Sequence, residues 1–239
     1  MPGYFDMHCH LLFGVDDGPE HMEDAMALLR QEHDSGVRTI FLTPHYRKNM
    51  FECPRDVRLR NFEQLRDWAA QELPDLKLCL GCELHVSMDT VQELRGGGYT
   101  MGESDFVLLE FSASADRRYL IERCQAVILA GFRPILAHAE RCDAIRKDLG
   151  LLQMLADMGV YIQLNAASIL GDAGLSWKWF CKRAMARDLL HFVGSDAHDL
   201  KRYKPNLDAC ARYLERKMGA DYRDQIMIHN PREIIEGSV

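Results

Sequence analysis

Seven short apolar runs recur along this chain, and nearly all of them end in a histidine or a carboxylate. Few folds accommodate both properties. The runs Tyr4–His10, Val37–His45, Lys77–Leu84, Asp105–Phe111, Arg133–His138, Val160–Leu164 and His191–Ser195 read as buried strands. Between them apolar residues return at helical spacing, as in Met22, Ala25, Met26, Leu29 and His33 ahead of Gly36, or Phe62, Leu65, Trp68 and Ala69 ahead of Pro74. Further stripes are Ile121, Cys124, Ile128 and Leu129 before Gly131, Leu151, Leu152, Leu155 and Met158 before Gly159, and Leu207, Cys210, Ala211 and Leu214 after Pro205. Glycine and proline thus stand where helices stop and start. Strand–helix alternation implies parallel strands with helical crossovers, hence an α/β fold. Seven such units in 239 residues fit a closed or nearly closed barrel, because eight units typically take about 250. Asp89 to Gly102, with Gly96-Gly97-Gly98, breaks the rhythm and reads as a loop or small hairpin. Without repeats or linkers, residues 1–239 are expected to form a single domain.

The C-terminal ends of barrel strands converge on one face, where active sites are built. Here those ends are His8-Cys9-His10, Thr43-Pro44-His45, Cys82-Glu83, Leu109-Glu110, Ala137-His138, Leu164-Asn165 and Ser195-Asp196-Ala197-His198. His8 and His10 are two apart on a strand, so both point to one face, roughly 6.6 Å apart along it. Asp196 and His198 repeat that spacing. Histidine mixed with carboxylate suits Mn, Fe, Zn or Co better than Ca or Mg, and the lack of thiolates argues against a closed structural zinc site. Nine candidate ligands result: His8, His10, Asp17, His45, Glu83, Glu110, His138, Asp196 and His198. They suffice for two or three divalent ions sharing a carboxylate, and three ions outweigh the four carboxylates in charge. Such a balance suits a bound hydroxide and an anionic substrate, with in-line displacement at phosphorus.

Composition narrows the partners. Lys and Arg number 29 against 36 Asp and Glu, a net charge of −7, which disfavours nucleic acid. The N-terminus lacks a signal-peptide pattern and no run approaches the roughly 20 apolar residues of a membrane span. A cytoplasmic location without membrane insertion and with eight reduced cysteines is therefore expected. Cys79-Leu80-Gly81-Cys82 has no second pair to complete a zinc site. Cys181 and Cys210 each precede an arginine by six residues, the spacing of a cysteine-dependent phosphatase loop. The intervening residues are helix formers without glycine, so a cysteine mechanism is disfavoured.

At this point the motifs resemble the PHP (polymerase and histidinol phosphatase) superfamily of metal-dependent phosphoesterases. The resemblance rests on Asp6-Met7-His8-Cys9-His10, Asp16-Asp17-Gly18, Thr43-Pro44-His45, Gly81-Cys82-Glu83, Leu109-Glu110-Phe111, Ala137-His138-Ala139-Glu140-Arg141 and Ser195-Asp196-Ala197-His198. Val15-Asp16-Asp17-Gly18-Pro19, Arg47-Lys48-Asn49-Met50-Phe51-Glu52 and Asn230-Pro231-Arg232 are similar to the bacterial manganese-dependent protein-tyrosine phosphatases of capsule and exopolysaccharide synthesis. The likeness spans nearly the whole chain. It implies a distorted seven-stranded (β/α)7 barrel and three metal ions, manganese foremost. One ion would be held by His8, His10, Glu83 and Asp196, a second by Glu83, Glu110 and His138, and a third by Asp17, His45 and His198. It also implies that Arg141 contacts the substrate phosphate. Arg202 stands near the place of a second family arginine, and a tyrosine common after the bridging glutamate is replaced around His85. The implied activity is hydrolysis of phosphotyrosine by metal-activated hydroxide, regulating polysaccharide synthesis. The implied partner is an autophosphorylating bacterial tyrosine kinase.

Blander readings stand beside these. Asp17 could cap a helix opening at Gly18-Pro19-Glu20; Glu110 could be a buried carboxylate paired with a base. Arg141 could pair with Asp143 or Glu140, and Arg47 and Lys48 could be a solvated loop or a basic loop receiving an anion. His21, His33, His191 and His229 read as structural, while His85 could share the face of Glu83. A histidinol-phosphate-type or nucleotide phosphoesterase on the same site is the alternative enzyme. A non-catalytic metal-binding regulator is the alternative from another class.

Overall fold

All seven expected strands form, but two of them are broken. The computed structural model describes residues 3–236. Its strands are β1 (Tyr4–Cys9), β2 (Val37–Leu42), β3 (His45–Tyr46), β4 (Lys77–Leu80), β5 (Glu83–His85), β6 (Phe106–Glu110), β7 (Arg133–Leu136), β8 (Tyr161–Asn165) and β9 (Phe192–Gly194). Every pairing is parallel, in the orders β1-β2-β4 and β3-β5-β6-β7-β8-β9. Val37–His45 breaks at Thr43-Pro44 and Lys77–Leu84 at Gly81-Cys82. Pro44 has no N–H to give to a ladder. The two breaks lie at one level, since Leu42 pairs with Leu80 before them and His45 with Glu83 after them. Thr43 N–H and Gly81 N–H reach back to the carbonyls of Cys9 and Leu42, at 2.9 and 2.7 Å. At the far edge Asp196 N–H donates to His8 O (2.8 Å) and His10 N–H to Ala197 O (2.9 Å). The sheet curls until its last strand meets its first.

Helices pack around it: α1 (Met22–Asp34), α2 (Arg55–Glu72), α3 (Thr90–Gly96), α4 (Arg117–Leu129), α5 (Asp143–Lys147), α6 (Leu149–Asp157), α7 (Ala166–Leu170), α8 (Leu175–Met185), α9 (Leu207–Met218), α10 (Ala220–Asp224) and α11 (Asn230–Glu236). The expected stripe of α9 is wholly buried, Leu207, Cys210, Ala211 and Leu214; that of α1 is buried at Ala25 and Leu29, joined by Leu28, while in α4 Cys124 is buried and Leu129, at the helix end, is 80% exposed. In α4 the Asp116 carboxylate accepts from Tyr119 N–H (2.9 Å), and Gly131 at φ +91° closes the far end.

The stretch from Asp89 to Gly102 departs from expectation, because residues 90–96 are helical. Ser87 N–H donates to Thr90 Oγ1 (2.8 Å) at the start, and the glycines follow as a stop, Gly97 and Gly98 having φ +79° and +89°. Asp17 caps no helix, since α1 begins only at Met22. Cys181 and Cys210 are buried on α8 and α9, and all eight cysteines are free thiols. Among the described residues no helix is long and apolar enough to cross a membrane.

Candidate metal centre

Alternation along β1 divides its side chains between two buried faces. Phe5, Met7 and Cys9 join the apolar core, while Asp6, His8 and His10 turn into the curl of the sheet. There the His8 and His10 Nε2 atoms lie 3.1 Å apart. Glu83 enters from β5 and has no solvent exposure. Its Oε2 lies 2.9 Å from His45 Nδ1 and 3.2 Å from both His8 Nε2 and His10 Nε2. Its Oε1 is 2.6 Å from His138 Nε2. Asp196 Oδ1 approaches His8 and His10 Nε2 at 3.6 and 3.5 Å, and Asp17 Oδ1 approaches His45 and His198 Nε2 at 3.7 and 3.5 Å. His138 (φ +31°) and Asp196 (φ +54°) both hold left-handed backbone just after a strand, a strained conformation for residues with a Cβ.

Donor atoms gather in four overlapping groups: His10, Asp17, His45 and His198; His8, His10 and Asp196; His8, Glu83 and His138; His45, Glu83 and Glu110. All nine sequence candidates are therefore brought together. Glu110 groups with His45 rather than with His138, unlike the set implied by resemblance, and His45 is thereby shared between two groups. Two features fit divalent ions. Glu83 Oε2 is fully buried amid three imidazoles yet has no directed hydrogen bond. The facing nitrogens of His8 and His10 are spaced as two donors about 2.1 Å from a common ion would be at roughly a right angle.

Neighbouring groups hold these donors in place, the arrangement that fixes tautomer and basicity in metal sites. Asp16 Oδ2 lies 2.8 Å from His10 Nδ1 and accepts from His45 N–H (3.0 Å). Gln163 Oε1 accepts from His138 N–H (2.7 Å) and lies 3.2 Å from His8 Nδ1. Asn165 Nδ2 and Arg141 Nη2 both donate to Asp196 Oδ2, at 2.8 and 2.5 Å. His85 Nδ1 meets Glu110 Oε2 at 2.8 Å. Arg141 pairs with neither of its sequence neighbours, as Asp143 is taken by Arg146. Asp16, Gln163 and Asn165 carry no roles in the sequence reading. Gln163 and Asn165 do share one strand face, which is the available signal.

Electrostatics follow from this crowding. Burial opposes the charged form of Glu83, but His8 and His138 outweigh it and hold the carboxyl well below the usual range. Burial likewise opposes charge on Asp196, and Arg141 with His10 overcomes it. His8 is raised despite burial by Glu83, and His10 is raised further by Asp16. Asp17 falls to about 2 beside His198.

The cluster opens into a cavity of about 1030 Å³ lined by Asp17, His45, Glu110, Arg141, Asp196 and His198 from the site, with Trp177, Arg202, Tyr203 and Lys204 beyond them. Arg47 and Lys48 do not line it. Lys48 Nζ is 3.0 Å from Asp89, and Arg47 bridges to Phe51, whose ring stacks on His45 at 5.0 Å.

A curled parallel α/β sheet with clustered imidazoles and carboxylates at its strand ends defines a barrel protein built to hold divalent metal ions. The chain belongs to the capsular polysaccharide synthesis family CpsB/CapC, whose model matches residues 4–236. It is 35% identical over 236 residues to tyrosine-protein phosphatase CpsB of Streptococcus pneumoniae, covering 96% of this chain and 97% of that one. Tyrosine-protein phosphatase YwqE of Bacillus subtilis is 29% identical over 217 residues, with 90% and 85% covered. A crystal structure from work on YwqE and CpsB, described as unique metal-dependent tyrosine phosphatases, superposes with a TM-score of 0.91 at 27% identity, covering 98% and 95%.

Proposed function

We propose that this chain is a metal-dependent protein-tyrosine phosphatase, a phosphoric monoester hydrolase of capsular or extracellular polysaccharide synthesis. It would act in the cytoplasm as one domain over residues 1–239, on a phosphotyrosine protein such as an autophosphorylating tyrosine kinase of that synthesis. The reading is carried by one observation: the His–carboxylate cluster opens beside Arg141 into a cavity large enough for an aryl phosphate. Membership of the CpsB/CapC family supports the same chemistry.

Two or three ions, manganese first and Fe, Zn or Co as alternatives, would be held by His8, His10, Glu83 and Asp196; by Glu83 and Glu110 with His138 or His45; and by Asp17, His45 and His198. Bound divalent ions supply Lewis acidity toward phosphoryl oxygens and a water that ionises near neutral pH. The chain's own part is binding and orientation. Asp16 and Gln163 hold the imidazoles in one tautomer and direction. Arg141 is kept cationic against burial by Asp196, Glu140 and Glu83, and its planar donors suit two phosphoryl oxygens. Arg202 offers a second cation on the cavity wall, and Trp177 and Tyr203 give that wall aromatic surface for the phenyl ring. Arg47 and Lys48 lie outside the cavity and would meet the substrate protein rather than its phosphate.

The test is phosphate release from a phosphotyrosine peptide, histidinol phosphate and a dinucleotide, with manganese-loaded and chelated protein. The peptide should be cleaved only by loaded protein and in preference to the other two. Arg141→Met should lower kcat/KM by about 10²–10³, the cost of losing one charge-stabilising donor. Asp196→Ala should abolish turnover. Equal cleavage of the peptide by chelated protein, or release from histidinol phosphate alone, would overturn the proposal.

A further inference from the structure

A second cavity, of about 790 Å³, lies on the flank of the barrel against α2 and β4 and contains none of the nine candidate ligands. We propose that it binds a small anion carrying an apolar body, such as a phosphate, sulfonate or carboxylate attached to a ring or chain.

The charge around this cavity runs against that of the whole protein. Arg55, Arg58, Arg66 and Lys77 line it against only Glu103 and Glu236, in a chain whose net charge is −7. Arg58 is the central feature. It is 3% exposed, its Nε has no hydrogen-bond partner, and among the described residues no carboxylate pairs with it. Its neutral neighbours include the Cys82 thiol and Tyr99, whose ring centre is 5.2 Å from the guanidinium carbon. A buried cation without a counter-charge is among the costliest groups a protein can carry, and a bound anion would relieve that cost.

Around it, Arg55 and Lys77 form no ion pair among the described residues, while Arg66 is held by Asp67 at 3.0 Å. The glycines that follow α3, Gly97 and Gly98, acquire a purpose here. A Cβ at Gly98 would stand 3.0 Å from Arg55 Nε, so glycine lets that guanidinium lie across the loop at the rim. Apart from Thr100 and Ser104 the rest of the lining is mainly apolar, with Leu59, Phe62, Leu78 and Ile234 among it. Mixed lining of this kind, in a concavity between about 300 and 1,000 Å³, is typical of small-molecule sites.

The probe is 8-anilinonaphthalene-1-sulfonate, which joins one anion to aromatic rings and brightens when shielded from water. It would be titrated into the manganese-loaded full chain beside N-phenyl-1-naphthylamine, which has the rings without the sulfonate. One saturable site is expected for the sulfonate, with the neutral analogue at least tenfold weaker. Arg58→Met should weaken sulfonate binding at least tenfold. Because a buried substitution can disturb folding, the exposed pair Arg55→Gln with Lys77→Gln provides the independent reading: at least tenfold weaker binding at an unchanged melting temperature. Arg141→Met should leave the affinity unaltered, which separates this cavity from the metal centre. Absence of saturable binding, equal binding of the neutral analogue, indifference to the exposed double substitution, or loss in Arg141→Met would each overturn the proposal.

Discussion

Glu83 is the residue on which the centre turns. One oxygen meets three imidazole nitrogens and the other a fourth, all without solvent. Glu83→Gln keeps the volume and removes the charge, so the barrel should fold while elemental analysis shows at least one ion fewer per chain. The histidines carry a second consequence. His8 and His10 are raised above their ordinary range, burial being outweighed by Glu83 for the first and by Asp16 for the second. Below those raised values the rings hold protons, and a metal must displace them. Manganese affinity should therefore climb with pH through that range, and calorimetry in buffers of different ionisation heat should show proton release on binding. Binding with no proton release would mean that the imidazoles are already neutral without metal.

Elements bring their own tension, seen most clearly where α1 meets β1. Glu32 of α1 is wholly buried beside Asp6 and Ser195, and no donor is directed at either of its oxygens. Asp6 of β1 accepts from His8 N–H (3.2 Å), Ser195 N–H (2.9 Å) and Ser195 Oγ–H (2.6 Å). Asp6 is thus served as an anion, and the proton belongs on Glu32, whose pKa burial and then Asp6 push far upward. A carboxyl raised in the folded state stabilises the fold fully below its unfolded value of about 4.3 and loses that contribution as pH rises through the folded value. Glu32→Gln removes the titration. Its melting temperature should match that of the parent near the lower limit and exceed it increasingly toward alkaline pH, by about 2–4 °C for each kcal/mol relieved. A constant difference across pH would place the proton elsewhere.

Across the whole molecule, the candidate ligands come from β1, the loop after it, β3, β5, β6 and the segments following β7 and β9. Ions held there tie together parts of the sheet that are distant in sequence, including the seam where Asp196 and His10 close the curl. Metal at a thousand times its dissociation constant contributes about 4.1 kcal/mol to the folded state. Chelation should then lower the melting temperature by roughly ten degrees at this chain length, with recovery when manganese is restored. A melting temperature indifferent to chelator would show that hydrogen bonds alone hold the strand ends.

Much of this was legible in the chain itself, because it is local. Alternation put His8 and His10 on one face, helical spacing marked the buried stripes, and strand endings marked Glu83, Glu110, His138 and Asp196. What escaped depends on how separate strands are set against each other. The matched breaks at Pro44 and Gly81, the grouping of Glu110 with His45 and Glu83 and the support from Asp16, Gln163 and Asn165 all follow from register and curl. So does the flank cavity around Arg58, whose apolar wall and cationic rim come from segments far apart in sequence. Periodicity is set by the backbone geometry of one segment, and the amino-acid order therefore determines which side chains turn inward. Which inward side chains meet is set by the stagger of hydrogen bonds between segments, and that only the folded barrel decides.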